Sequence, residues 1–298
     1  MEKNLIYDRK NNKKIEEKIY FEKTLNYLYK DNFFSKILLT ILCRFDFLSN
    51  VYGFLNRLKS SKKKIDPFIK TFRIDEEEFV KNKDDFLSFE EFFIRKLKKD
   101  ARKIDLLEDR AALPCDGKFL VFENIEDIKN LSIKGEEFNL KEFLNEDDLF
   151  EKYKDGAMLL CRLAPQDYHR FHFPIDCNPQ ESKLINGYLF SVNPIALKTN
   201  INILSQNKRV ITKLKSKKFS DILYIEIGAT NVGSIKQTFI PNNEYKKADE
   251  KGYFTLGASS IVLLFKKDTI SFDKDLIEMS KKNIETKSYM GVGFATLR

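Results

Sequence analysis

The chain has 298 residues, 42% of them hydrophobic and 33% charged. That composition excludes a disordered or fibrous protein, and the length suffices for one large domain or two ordinary ones with an unstapled core. With 53 Lys and Arg against 45 Asp and Glu the net charge is +8, which suits an anionic partner, nucleic acid or an acidic membrane surface, without choosing between them.

The four cysteines, Cys43, Cys115, Cys161 and Cys177, lie far apart with no CxxC pair. A zinc ribbon or redox motif is therefore not expected, and a reducing compartment is. The amino terminus is charged from Glu2 onward, so no cleavable secretory signal is expected. The most apolar run, residues 37–43, is fenced by Lys36 and Arg44 and is too short to cross a bilayer.

Residues 1–66 predict amphipathic helices. Phe21, Leu25, Leu28, Phe33, Phe34, Ile37, Leu38, Ile41, Phe45, Leu48, Tyr52 and Leu55 recur near the helical period. Lys23, Lys30, Lys36, Arg44, Arg57 and the cluster Lys59, Lys62, Lys63 and Lys64 are interleaved with them. Two readings stand level: the apolar face packs on the body of the protein, or it lies in a membrane interface with the cations on anionic headgroups.

Pro67 predicts a break, and residues 75–104 predict a second helical stretch. Beyond Leu113 the texture changes to short β-type runs at residues 118–122, 158–163, 184–192, 222–227 and 259–265, separated by turn residues. The tail from Glu285 reads as a loop and a short strand. Helices followed by strands, without βαβ alternation, predict an α+β fold: N-terminal amphipathic helices and then a mostly antiparallel β core.

The two histidines of the chain are three residues apart in Tyr168-His169-Arg170-Phe171-His172-Phe173-Pro174. A lone histidine is usually structural, but both histidines in one aromatic, proline-closed segment favour proton transfer. Metal binding is the weaker reading, since no cysteine cluster is near and Asp167 and Asp176 read as turn residues. In an extended segment the two rings face opposite ways and take different roles. Pro114-Cys115-Asp116-Gly117 reads alone as a turn, and Glu226 to Ile235 as two strands joined at a tight glycine turn. Gly257-Ala258-Ser259-Ser260 leads into a β-branched strand. It reads either as a glycine bulge or as a strained entrance exposing a hydroxyl nucleophile.

Taken in order, these segments resemble the phosphatidylserine decarboxylase family. The resemblance is carried by residues 92–97 (Phe-Phe-Ile-Arg-Lys-Leu) with Arg102, by Pro114–Gly117, by Leu163–Pro174, and by Gly187-Tyr188-Leu189 with Val192-Asn193-Pro194. It continues through Val232-Gly233-Ser234-Ile235 and Gly257–Ser260, and it takes in Lys134-Gly135 and Glu285-Thr286 with Met290-Gly291. Gly257-Ala258-Ser259-Ser260 stands where the family usually carries Gly-Gly-Ser-Thr or Leu-Gly-Ser-Thr.

The resemblance implies a self-processing enzyme in which Ser259 attacks the Ala258 carbonyl. The chain then divides into 1–258 and 259–298, and Ser259 becomes a pyruvoyl group. It implies an Asp–His–Ser arrangement of Asp116, one histidine and Ser259, with Asp116 orienting the base. His172 is assigned to cleavage and His169 to the later protonation. The pyruvoyl carbonyl forms a Schiff base with the amine of phosphatidylserine and accepts the electrons left by the departing carboxylate, giving phosphatidylethanolamine and CO2.

The same resemblance implies a catalytic domain at residues 67–298 and a membrane-associating region at 1–66. The enzyme would sit peripherally on the cytoplasmic side of the cell membrane, with a possible homodimer and no metal. The competing expectations are a silent homologue that binds anionic membranes uncut, and a nucleic-acid binder that rests on charge alone and lacks any matching motif.

Overall fold

Four apolar runs of the sequence, residues 118–122, 158–163, 222–227 and 259–265, form the centre of a large sheet. The computed structural model describes residues 4–17, 27, 29, 46–131, 138–229, 235–256 and 259–298. Among these, β1 (Leu5–Asp8), β2 (Lys13–Glu16), β3 (Arg110–Ala112), β4 (Gly117–Phe122) and β5 (Ala157–Leu163) come first. β6 (Arg170–His172), β7 (Asn178–Pro179), β8 (Lys183–Ile185), β9 (Arg209–Lys215) and β10 (Ile222–Ile227) follow. The last are β11 (Ile235–Gln237), β12 (Glu250–Phe254), β13 (Ser259–Phe265), β14 (Ile270–Phe272), β15 (Thr286–Ser288) and β16 (Gly293–Leu297).

Ten of these strands form one sheet in the order β2-β1-β15-β4-β5-β13-β10-β9-β7, with β8 also paired to β9. Its pairings are antiparallel except for β1 and β15, which run parallel. Two three-stranded sheets, β11-β12-β6 and β14-β16-β3, pack with it. Every residue of β4, β5, β10 and β13 is buried, which is why these strands read as continuous apolar runs and not as alternation.

A second core gathers Ile65, Phe68, Ile69, Phe79, Phe86, Phe89, Phe92 and Phe93 with Leu256. Phe92 lies at its centre, its ring 5.8 to 6.0 Å from those of Phe68, Phe79, Phe86 and Phe89. This cluster fastens residues 65–97 to the chain just beyond β12.

The α+β class and the mostly antiparallel sheets agree with the sequence. Several element expectations need correction. Residues 4–17 are a hairpin, not helix: Ile6 and Asp8 are buried alternately, Asn12 turns the chain at φ 50°, and β1 gains a partner in the distant β15. Of the remaining helical expectation below 66, residues 18–26 and 30–45 lie outside the described residues. Residues Asp46–Arg57 form a helix. Pro67 does not break the chain but sits in the first turn of helix Ile65–Phe72, where a missing N–H leaves no bond unmade.

Residues 75–104 are not a long helix. They form two short 3-10 turns and helix Phe89–Phe93, started by the Asp75 and Ser88 side chains, which accept from the N–H of Glu77 and Glu91. Their aromatic residues serve the Phe92-centred cluster instead. In the 184–192 run only Lys183–Ile185 is strand. At Gly187 the backbone runs so close to residues 206–208 that a Cβ would lie 2.2 Å from the Gln206 carbonyl oxygen. Strands β10 and β11 belong to different sheets and do not form the expected hairpin. The tail holds two strands, β15 and β16, where one was expected.

Candidate active site

Three neighbouring strands of the large sheet end together. β4 and β5 pair with Lys118 opposite Arg162, and β5 and β13 with Leu163 opposite Ser259. The start of β4, the end of β5 and the start of β13 therefore share one edge of the sheet. Asp116 precedes β4, the loop 164–169 follows β5, and Ser259 opens β13. Gly117 permits the close approach, since a Cβ there would stand 2.7 Å from Cys161 Sγ and 2.8 Å from the Arg162 carbonyl.

The Asp116 carboxylate is buried and fully engaged. Arg102 donates to it from Nε at 3.0 and 3.1 Å and from Nη2 at 2.6 Å, and the Met290 N–H donates at 2.9 Å. Arg102 also pairs with Glu78 at 2.8 Å. Asp116 thus ties the segment before β3 to the C-terminal tail.

His169 is fully buried, its ring 4.0 Å from that of Phe93. Its Nδ1 lies 2.9 Å from the Asp167 carbonyl oxygen, and its own carbonyl accepts the Phe254 N–H at the end of β12. His172 lies in β6, with its N–H on the Pro114 carbonyl at 2.7 Å and its Nδ1 2.9 Å from the Ala248 carbonyl oxygen. A carbonyl can only accept, so Nδ1 of each ring carries the proton and Nε2 carries the lone pair. His172 Nε2 is buried and without a partner among the described residues. Burial lowers the proton affinity of this ring despite its bond to Ala248 and the nearby Glu250 and Asp116 carboxylates, which keeps it a neutral base.

Ser259 is fully buried, and its Oγ has no partner among the described residues. A buried orphan hydroxyl costs about 1–3 kcal/mol and is a mark of function or strain. Ser260 Oγ is orphaned in the same way. Ala258, and with it Gly257, lies outside the described residues, as do Lys134-Gly135 and Val232-Gly233-Ser234.

The orienting acceptor expected at Asp116 is, for both rings, a backbone carbonyl in the contacts described. Asp116 acts on His172 through its field, and through the Pro114–Gly117 backbone that holds the His172 N–H.

Sequence reasoning missed the buried charges behind the histidine loop. Asp167 does close a turn by accepting the Ala164 N–H at 2.7 Å, and it also pairs with Lys118 at 2.7 Å. Burial pushes the Asp167 carboxyl up, but Lys118 and the Ala164 N–H outweigh it and hold it below its ordinary value. Lys118 reaches Glu17 at 3.5 Å, and Arg162 joins Glu17 at 2.7 Å to Glu285 at 2.5 Å. The signal was present: Lys118 and Arg162 are lone cations inside otherwise apolar strands, and such charges are buried only when paired. Among the described residues no group of three or more His, Cys, Asp or Glu side chains is placed to hold a metal ion.

Known proteins resemble this chain over nearly its whole length. A sequence profile described as phosphatidylserine decarboxylase matches residues 89–294. A protein of Chlamydia caviae named phosphatidylserine decarboxylase proenzyme is 43% identical over 98% of this chain and 97% of its own. One of the same name from Fusobacterium nucleatum is 44% identical over 98% and 97%, and one from Chlamydia muridarum 45% identical over 85% and 84%. The chain belongs to the phosphatidylserine decarboxylase family.

Proposed function

We propose that this chain is the precursor of an enzyme that removes the carboxylate of phosphatidylserine, giving phosphatidylethanolamine and CO2, and that it makes its own pyruvoyl group from Ser259. The observation that carries the reading is the fully buried Ser259 hydroxyl, unpartnered among the described residues, at the strand edge that also holds Asp116 and the histidine loop. His172 Nε2, neutral and carrying a lone pair, takes the Ser259 hydroxyl proton. Oγ then bonds to the Ala258 carbonyl carbon, and the peptide C–N bond breaks as an ester forms. Loss of the Ser259 α-proton expels Ala258 as a carboxylate and leaves a dehydroalanine, which water converts to the pyruvoyl group with release of ammonia.

The residues present fit that group: Ser259 Oγ leaves with the Ala258 carboxylate, so the buried position where that hydroxyl has no partner among the described residues becomes a methyl group that needs none. When formed, the pyruvoyl group supplies an electron sink for the carbanion of decarboxylation. His169, held by the Asp167 carbonyl and beside the ring of Phe93, takes up on Nε2 the proton that the substrate ammonium sheds and then delivers it to the substrate carbon. Asp116 holds the precursor geometry and favours the charged form of His172 in the cleavage step.

The lipid substrate gives the N-terminal residues a role. Phe54 and Leu55 are 57% and 50% exposed on helix Asp46–Arg57, and Lys59, Lys62 and Lys63 follow at once. This pairing of apolar and basic surface suits peripheral docking on an anionic, cytoplasmic membrane face. No helix among the described residues is long and apolar enough to cross a membrane. The intact mass of the purified protein tests the proposal: two fragments meeting at 258/259, the smaller with a pyruvoyl-blocked amino terminus, are expected. A single uncut chain would refute it and leave a silent membrane-binding homologue.

A further inference from the structure

Among the described residues the buried arginines are satisfied by close partners, with one exception near the active site. Arg209 donates to the carbonyls of Phe143, Ser205, Asn207 and Glu142 at 2.5 to 3.0 Å. Arg162 pairs with Glu17 and Glu285, Arg102 with Asp116 and Glu78, and Arg170 with Glu250 and the Ile94 carbonyl. Arg95 is only 4% exposed, yet it forms no ion pair among the described residues. Its two nearest acceptors, the Phe92 and Gln166 carbonyls, are distant at 3.5 and 3.4 Å, and its Nε has no partner. Its guanidinium lies 5.1 and 5.0 Å from the ring centres of Phe79 and Phe92.

The position of Arg95 is as informative as its lack of an ion pair. Gln166 belongs to the loop that carries His169, and Phe93, two residues before Arg95, packs against the His169 ring at an interplanar angle of 42°. Leu256, just before the cleavage site, packs in the same aromatic cluster. Holding a guanidinium there without a counter-ion is costly, and burial pulls its proton affinity down to about 10 against the opposing fields of Asp116, Tyr168 and Asp167. Such a cost is offset when an anion arrives.

We propose that Arg95 is the residue that binds the phosphodiester of the lipid headgroup, an inference resting on the function proposed above. The substrate offers two anions, and the reaction chooses between them. A cation on the departing carboxylate would stabilise the state that decarboxylation must leave. A phosphodiester keeps its charge throughout and can be held equally in substrate, transition state and product. The planar guanidinium fork matches two phosphate oxygens, and the flanking phenyl rings keep competing water away.

The test uses Arg95→Gln and Arg95→Lys in the full chain, with self-cleavage followed by intact mass in the same samples. For cut protein, KM for phosphatidylserine and the inhibition constant of phosphatidylethanolamine are measured in detergent mixed micelles. Arg95→Gln is expected to cut itself and to raise both constants by a common factor of about tenfold or more, with a smaller change in kcat. Arg95→Lys is expected to lie between it and the parent. An unchanged KM in cut Arg95→Gln overturns the proposal. A raised KM with an unchanged product constant assigns Arg95 to the carboxylate and overturns it too. If neither variant cuts itself or folds, Arg95 is a structural cation and the proposal fails. An uncut parent chain would instead signal failure of the underlying reading.

Discussion

Replacing Asp116 by Asn isolates what its charge contributes. Asp116 and Arg102 are 6% and 9% exposed, and their shortest contact is 2.6 Å. Breaking a buried pair costs about 3–5 kcal/mol. Here Asn can still accept the Met290 N–H, and Arg102 keeps Glu78, so the expected loss is about 2–3 kcal/mol. For a chain of this size that is a fall in Tm of about 3–5 °C. It is best read by scanning fluorimetry in an uncut Ser259→Ala background.

Self-cleavage is followed separately, well below either Tm. Asp116→Asn is expected to slow it about tenfold or more, since His172 loses a carboxylate whose field favours its charged form. Glu78→Gln is the control: it removes the other carboxylate from Arg102, is 31% exposed, and leaves Asp116 in place. It is expected to cost under about 1 kcal/mol and to leave cleavage unchanged. Asp116→Asn cutting at the parental rate, or both variants slowing it alike, would refute a role for Asp116 beyond holding Arg102.

Other outcomes follow from the same contacts. Ser259→Ala should give an uncut, inactive chain, and activity in that variant would exclude Ser259 as the source of the pyruvoyl group. Burial lowers the His172 proton affinity below its ordinary 6.5, so the unfolded chain takes up the proton first. Stability is then lost as pH falls through 6.5, while the cleavage rate stays level there and drops only at lower pH; a rate falling with a midpoint at or above 6.5 would contradict this. Lys118→Met strands the buried Asp167 carboxylate and should lower stability in urea by about 3–5 kcal/mol, whereas no change would show the pair to be dispensable. Phe54→Glu with Leu55→Glu should weaken binding to phosphatidylserine vesicles without altering cleavage, and unchanged binding would move docking elsewhere.

What could be read in advance was what is local or chemically rare. Two histidines in one aromatic segment, the Pro-Cys-Asp-Gly turn and the serine before a β-branched strand all lie at one edge of the sheet. The strands with every residue buried were visible as apolar runs because no polar face interrupts them. The hairpin at Leu5–Glu16 was not, since its register depends on β15 at the opposite end of the chain. Phe79, Phe86, Phe89 and Phe92 imitate helical spacing while packing edge to face in a compact knot. The histidine tautomers were hidden for a related reason: their acceptors are the backbone carbonyls of Asp167 and Ala248, and no side-chain pattern encodes a carbonyl's direction.

The cut proposed between residues 258 and 259 has a consequence for reversibility. β13 lies between β5 and β10, β15 between β1 and β4, and β16 between β3 and β14. The segment released at residue 259 therefore contributes inner strands and owns no separate core. Before cleavage, unfolding and refolding are unimolecular, with every partner on one tether. After it, the assembled protein stays together, but once melted its recovery becomes second order, because a short fragment must find its slots among strands that can meanwhile pair with one another. Maturation thus exchanges a protein that can refold for one that is retained mainly by the height of its unfolding barrier.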